Sequence, residues 1–232
     1  MENDFNVYTE NQIDTIFKLL WEEGSVVPKG ELHSDEEANL WAYSAFFTAT
    51  IRNYGINPND KTKKQIYKVI EGLEWYLARG REDFLLYASE NGKETPPFFD
   101  DNAWLVLGFI HAYQLTGEKE YLKKALKIQE YLYSAWAEEG GLYWREFWEN
   151  DLPRYKYTRN TCITGPTIMA AAQLYEITGN HAHLNWGTKI YEWTKKTLRG
   201  DNYLFNDHIN DAGEVDETKF TYNQGTMISS GV

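Results

Sequence analysis

The sequence predicts an all-α fold in which helical hairpins are arranged as a toroid around a cleft, and three observations predict it. Tyr113-Gln114-Leu115-Thr116-Gly117 returns as Tyr175-Glu176-Ile177-Thr178-Gly179 at an offset of 62 residues, and the match continues ungapped through Leu122 and Leu184, Lys127-Ile128 and Lys189-Ile190, and Leu142 and Leu204. No stretch sustains the period-2 alternation of a half-buried strand. The unit of about 60 residues far exceeds the 34 of a tetratricopeptide repeat. The excess lies in long aromatic-rich loops on one side, which suits a ring with a loop-lined cleft better than an extended solenoid.

Each element follows from its local signals. Asn6 to Trp21 reads as a lone helix. Glu36 to Tyr54 forms the first helix of a hairpin, Gly55 to Asn59 its turn, and Lys61 to Leu77 the second helix. A buried helix starts at Asp100-Asp101, passes through the apolar run Leu105 to Ile110, and ends at Gly117 as a left-handed C-terminal glycine. Tyr121, Leu122, Ala125, Ile128 and Leu132 then fall at helical spacing and give its partner. The second copy repeats the pair, with Gly179 in the place of Gly117, and Asn223 to Ile228 begins an eighth helix. Residues 1–232 read as one toroid domain with a catalytic site, and the expectation is that its closing C-terminal helices lie beyond Val232.

Composition narrows the function. At 42% hydrophobic and 25% charged, 232 residues build one sizeable globular core. A net charge of −12 argues against nucleic acid or an anionic membrane surface as partner, since both demand a basic face, and favours a neutral substrate. The single cysteine, Cys162, permits no internal disulfide and reads as a small buried residue. No stretch approaches the roughly 20 apolar residues of a membrane span. The N-terminus lacks a signal-peptide pattern, so the chain as written reads as cytoplasmic, or as secreted if a signal has been removed.

The chemistry concentrates at Asp100-Asp101, which follow Pro97-Phe98-Phe99 and open an apolar helix. Hydrolysis of a glycoside with retained configuration needs two carboxyl groups about 5 to 5.5 Å apart, a gap that neighbours at a helix start can supply. The helix N-terminus favours one ionised carboxylate, while like-charge repulsion raises the other to serve as acid. The bland alternative is helix capping by Asp100, Asp101 or Asn102. Aromatic residues clustered outside helical periodicity, Phe98-Phe99, Tyr143-Trp144, Phe147-Trp148 and Tyr155 to Tyr157, suit the apolar faces of sugar rings. Asn223 and Gln224 can both donate to and accept from sugar hydroxyls. Asp207 is a loop carboxylate that binds hydroxyls or lies solvated in a turn. His181 and His183, two apart at a helix start, do not face one metal. No cofactor or metal is expected.

Phe98-Phe99-Asp100-Asp101-Asn102-Ala103-Trp104, Ala112 to Gly117, Asn160 to Pro166 and Phe220-Thr221-Tyr222-Asn223-Gln224-Gly225-Thr226 resemble, in order, motifs of glycoside hydrolase family 76. The resemblance covers most of the chain from about residue 36. It implies an (α/α)6 barrel, endo-acting cleavage of α-1,6-mannosidic bonds, Asp100 as nucleophile and Asp101 as general acid/base. The candidate substrate-binding residues are Asn102, Trp104, Tyr143, Trp144, Asp207, Tyr222, Asn223 and Gln224. Cys162 and Thr164 stand where the family more usually has Ala and Asn. Two other readings share the toroid: a sugar isomerase or epimerase, which needs histidines in the cleft, and a noncatalytic glycan-binding scaffold.

Overall fold

The computed structural model describes residues 2–33, 35–78, 84–90, 97–147, 153 and 156–231. Trp148 and Tyr155 of the aromatic clusters lie outside them. The helices are α1 (Glu2–Leu19), α2 (Leu40–Ile56), α3 (Asp60–Leu73), α4 (Phe99–Thr116), α5 (Lys119–Tyr133), α6 (Thr161–Thr178), α7 (His181–Thr197) and α8 (Thr221–Ser230). Both ends of α6 lie 62 residues beyond those of α4, and the start of α7 stands at the same interval from the start of α5, so the sequence repeat is a structural one. Gly117 and Gly179 close α4 and α6 at φ of 73° and 68°, the left-handed geometry expected of them.

The helices form two layers. α2, α4, α6 and α8 pack in series, and α3, α5 and α7 each pack on the inner helix that precedes them. The reason is legible in burial. α5 buries a stripe of Tyr121, Ala125, Ile128 and Leu132, and α3 buries Thr62, Ile66, Val69 and Leu73, the three-and-four spacing of a one-sided helix. α4 instead buries residues all round, among them Leu105, Val106, Phe109 and Ile110. Such a helix is stable only when covered on several sides. Close approach of inner helices requires glycine: a Cβ on Gly108 would stand 2.3 Å from the Phe47 ring of α2. Asn59 fixes the start of α3 through a reciprocal capping box with Thr62.

Three short strands, β1 (Thr158–Asn160), β2 (His208–Asn210) and β3 (Val215–Asp216), form an antiparallel sheet in the order β1-β2-β3, with Asn160 opposite His208. They modify the all-α reading. Strands of two or three residues are too short to show alternation in sequence. The sheet sits directly before α6, where the Thr161 N–H donates to the Asp207 carbonyl at 2.9 Å. Buried Arg159 secures it by donating to the carbonyls of Gly140 and Asn210 while facing Asp211 at 3.6 Å. Among the described residues, no helix is long and apolar enough to cross a membrane.

Candidate active site

The second residues of α2, α4, α6 and α8 are Trp41, Asp100, Cys162 and Tyr222. All four line one cavity of about 580 Å³, with Trp104 one turn along α4 from Asp100. A second cavity of about 470 Å³ is lined by Trp144, Asn160, Asp207 and His208 among others, and shares Asp100, Cys162 and Tyr222 with the first. Asp100 therefore stands on the boundary between two adjoining cavities.

The backbone explains why a carboxylate is tolerated there. The residues before α4, α6 and α8 are Phe98, Asn160 and Phe220, and none makes a side-chain capping bond. First-turn N–H groups and the positive helix ends are thus left to act on whatever lies in front of them. Asp100 uses this directly, because its Oδ1 accepts the Asp101 N–H at 3.0 Å. Its Oδ2 accepts the Cys162 thiol at 3.5 Å, and the Trp144 side chain donates to the same carboxylate. The loop carrying Trp144 is clamped to the start of α4 by the Phe99 N–H, which donates to the Trp144 carbonyl at 2.9 Å.

The two carboxyls differ in environment. Burial pushes the Asp100 carboxyl above its ordinary value, and the Trp144, Cys162 and backbone donors oppose that rise. Asp101 is 7% exposed and, among the described residues, accepts the Ser89 hydroxyl at 3.1 Å. Burial first, and then the Asp100 charge, push it up to about 7. Asp100 collects more donors than Asp101, and donors favour the ionised form, so that asymmetry places a single proton of the pair on Asp101. Burial and the neighbouring Asp100 and Asp207 also hold the Cys162 thiol well above its usual range, which keeps it protonated as a donor. Asp100 lines both cavities and Asp101 lies next to it in the chain without lining either, and one ionised and one protonated carboxyl can supply a nucleophile and an acid.

The remaining sequence candidates divide. Trp104, Trp144, Asp207 and Tyr222 line the cavities. Asp207 is held from both sides, by Asn223 Nδ2 at 3.0 Å and His208 Nδ1 at 2.8 Å. Asn102, Tyr143, Asn223 and Gln224 are not among the residues lining these two cavities, and each bonds within the protein. The Asn102 amide takes the Tyr87 N–H and donates to the Tyr87 and Phe98 carbonyls, which pins the segment before α4. The Tyr143 hydroxyl donates to Asp211, Asn223 is wholly buried against Asp207, and the Gln224 amide pairs with the backbone of Phe205. None of Asp100, Asp101, Asn102 or Asn223 is an N-cap, since Phe98 and Phe220 occupy those positions. Cys162 is not merely a core residue, because it touches both cavities. Trp41 and Ser89 are additions from the structure, while Asn160, from the third motif, and His208 line the second cavity. Among the described residues, no group of three or more His, Cys, Asp or Glu is placed to hold a metal ion.

Comparison with known proteins extends this geometry. The profile of glycosyl hydrolase family 76 matches residues 4–232. The mannan endo-1,6-α-mannosidase of Candida glabrata is 35% identical over 96 residues, covering 39% of this chain and 21% of that protein. A family 76 α-mannanase of Bacteroides thetaiotaomicron superposes with a TM-score of 0.87 at 23% identity, over 97% of this chain and 63% of that one. An inactive variant of the α-1,6-mannanase of Salegentibacter, in complex with α-1,6-mannotriose, gives a TM-score of 0.78 at 24% identity, over 97% of this chain and 62% of that one. A D-mannose isomerase gives 0.75 at 13% identity over 97% of this chain. The chain thus spans about a fifth of the curated relative and under two thirds of these solved mannanases. At these identities the structural matches show a shared α/α toroid fold, one that serves more than a single reaction.

Proposed function

The chain belongs to glycosyl hydrolase family 76, and from that premise we propose that it is a retaining, endo-acting glycosidase that cleaves α-1,6-mannosidic bonds in mannan-type polysaccharides or oligosaccharides. Asp100 attacks the anomeric carbon, and Asp101 gives its proton to the leaving oxygen. The glycosyl ester on Asp100 is then opened by water, which Asp101 deprotonates in the second step. The observation that carries this reading is the asymmetry of the pair. Asp100 lies on the boundary of two cavities under several donors, while Asp101, beside it, is raised to about 7. That is the division of labour that two-carboxylate hydrolysis requires.

The substrate class is supported by the relatives, which act on or hold α-1,6-linked mannose, and by a net charge of −12 that suits a neutral glycan. Trp104, Trp144 and Tyr222 offer ring faces to the sugars, and Asp207 offers acceptors to their hydroxyls. The isomerase alternative is weaker, because His208 is the one histidine lining either cavity among the described residues, and its Nδ1 is already paired with Asp207. Incubation with linear α-1,6-mannan tests the proposal. Release of manno-oligosaccharides by the wild type and its loss in Asp100→Asn support it, whereas no release by the wild type refutes it.

A further inference from the structure

Asp101 is buried and is not among the residues lining either cavity, so the protein around it sets how its carboxyl is turned. The segment that touches it is Tyr87 to Ser89, and each residue of that segment is anchored. The Tyr87 N–H donates to Asn102 Oδ1 at 2.8 Å, and the Tyr87 carbonyl accepts Asn102 Nδ2 at 2.9 Å. The Ala88 N–H donates to the Tyr76 carbonyl at 2.7 Å, and the Ser89 carbonyl accepts the N–H of Leu40, the first residue of α2, at 2.9 Å. From this anchored backbone the Ser89 hydroxyl donates to Asp101 Oδ2 at 3.1 Å. Asp101 and Asn102 are neighbours on α4, so the two sets of bonds close a ring between the helix and the segment: Asn102 holds Tyr87, and Ser89 holds Asp101.

That bond distinguishes the two oxygens of the carboxyl. A protonated carboxyl has one O–H donor and keeps acceptor capacity on its other oxygen, so with Oδ2 accepting from Ser89 the proton belongs on Oδ1. A general acid must stand within hydrogen-bond reach of the atom it protonates, and fixing the oxygen that bears the proton fixes the direction of transfer. The same hydroxyl favours the ionised form, which Asp101 reaches when it turns from acid to base. Burial and the Asp100 charge on its own helix raise Asp101, and the Ser89 hydroxyl, facing it from the segment, opposes them.

Resting on the glycosidase reading above, we infer that Ser89 is the positioning residue of the acid/base: anchored to the start of α2, it holds Asp101 by Oδ2 so that Oδ1 gives and takes the proton. The test follows hydrolysis of linear α-1,6-mannan across the pH range by wild type, Ser89→Ala and Ser89→Thr. In Ser89→Ala, kcat at the optimum falls roughly 10- to 100-fold, the cost of a misplaced reacting group. The basic limb of kcat/KM moves up by roughly one pH unit, because no hydroxyl then favours the carboxylate. KM changes by less than about 2-fold, since Ser89 is not among the residues lining either cavity. Ser89→Thr keeps a hydroxyl and returns both kcat and the limb toward wild type. A basic limb that stays in place in Ser89→Ala marks a merely structural role and overturns the inference even if activity falls, as does a Ser89→Thr enzyme no better than Ser89→Ala. A wild type that leaves mannan intact at every pH overturns the glycosidase reading itself, and the inference with it.

Discussion

Asp101→Asn separates the electrostatic from the structural content of the site. The Asp101 carboxyl rises from an ordinary 3.8 to about 7 through burial and the charge of Asp100. Each pH unit of such a difference corresponds to about 1.36 kcal/mol, so the ionised form strains the fold by up to ~4 kcal/mol. The sign follows from linkage. A group whose folded pKa is raised contributes stability that is complete below its unfolded value, near 4, and lost as pH rises toward 7. Asn carries no charge and escapes that loss. The difference in unfolding free energy between Asp101→Asn and wild type should be smallest at pH 4 and grow in the variant's favour to a plateau above pH 7, of up to ~4 kcal/mol. Urea titrations at pH 4, 5.5, 7 and 8.5 measure it. The same substitution should lower turnover by about 10²- to 10⁴-fold, the usual worth of a general acid, and abolish a basic limb near pH 7 in the rate profile. A stability difference that is flat with pH, or a wild-type basic limb far from 7, would refute the reasoning.

Two further outcomes are expected. Asp100→Asn should reduce turnover by roughly 10³-fold or more, because it removes the covalent step, and should leave the circular dichroism spectrum intact; retention of more than a tenth of the activity would remove Asp100 from its role. Gly108→Ala should drive a methyl into the buried Phe47 ring, costing about 1 to 3 kcal/mol and lowering the melting temperature by roughly 3 to 10 °C; an unchanged melting temperature would contradict the α2–α4 packing.

Much of the fold was legible because the repeat is a backbone repeat. The matching motifs at Gly117 and Gly179 sit at equivalent helix ends, and the 62-residue interval recurs between the starts of α4 and α6. The same interval could have exposed part of the site, since Cys162 lies 62 residues after Asp100 and occupies the corresponding second position of its helix. Trp41 shares that position on α2, but the looser first hairpin hides the correspondence in sequence. Orientation was not legible. Asn102 and Trp104 come from one motif, yet Asn102 bonds Tyr87 and Phe98 while Trp104 lines the cavity. Motif membership places a residue on a helix, and the helical rotation of about 100° per residue then decides which way it points. Likewise Tyr222 reaches the cavities while Gln224, two residues on, pairs with the backbone of Phe205.

The central claim is that Asp100 and Asp101 perform a double displacement on an α-1,6-mannosidic bond, and the anomeric configuration of the first-formed product tests it most directly. Proton NMR of linear α-1,6-mannan, followed from the moment of enzyme addition, distinguishes the anomers before mutarotation equilibrates them. The account predicts that the α-anomer of the new reducing ends appears first and the β-anomer only later. Initial release of the β-anomer would show inversion and remove Asp100 as nucleophile, and the absence of any new reducing end would contradict the assignment as a mannanase.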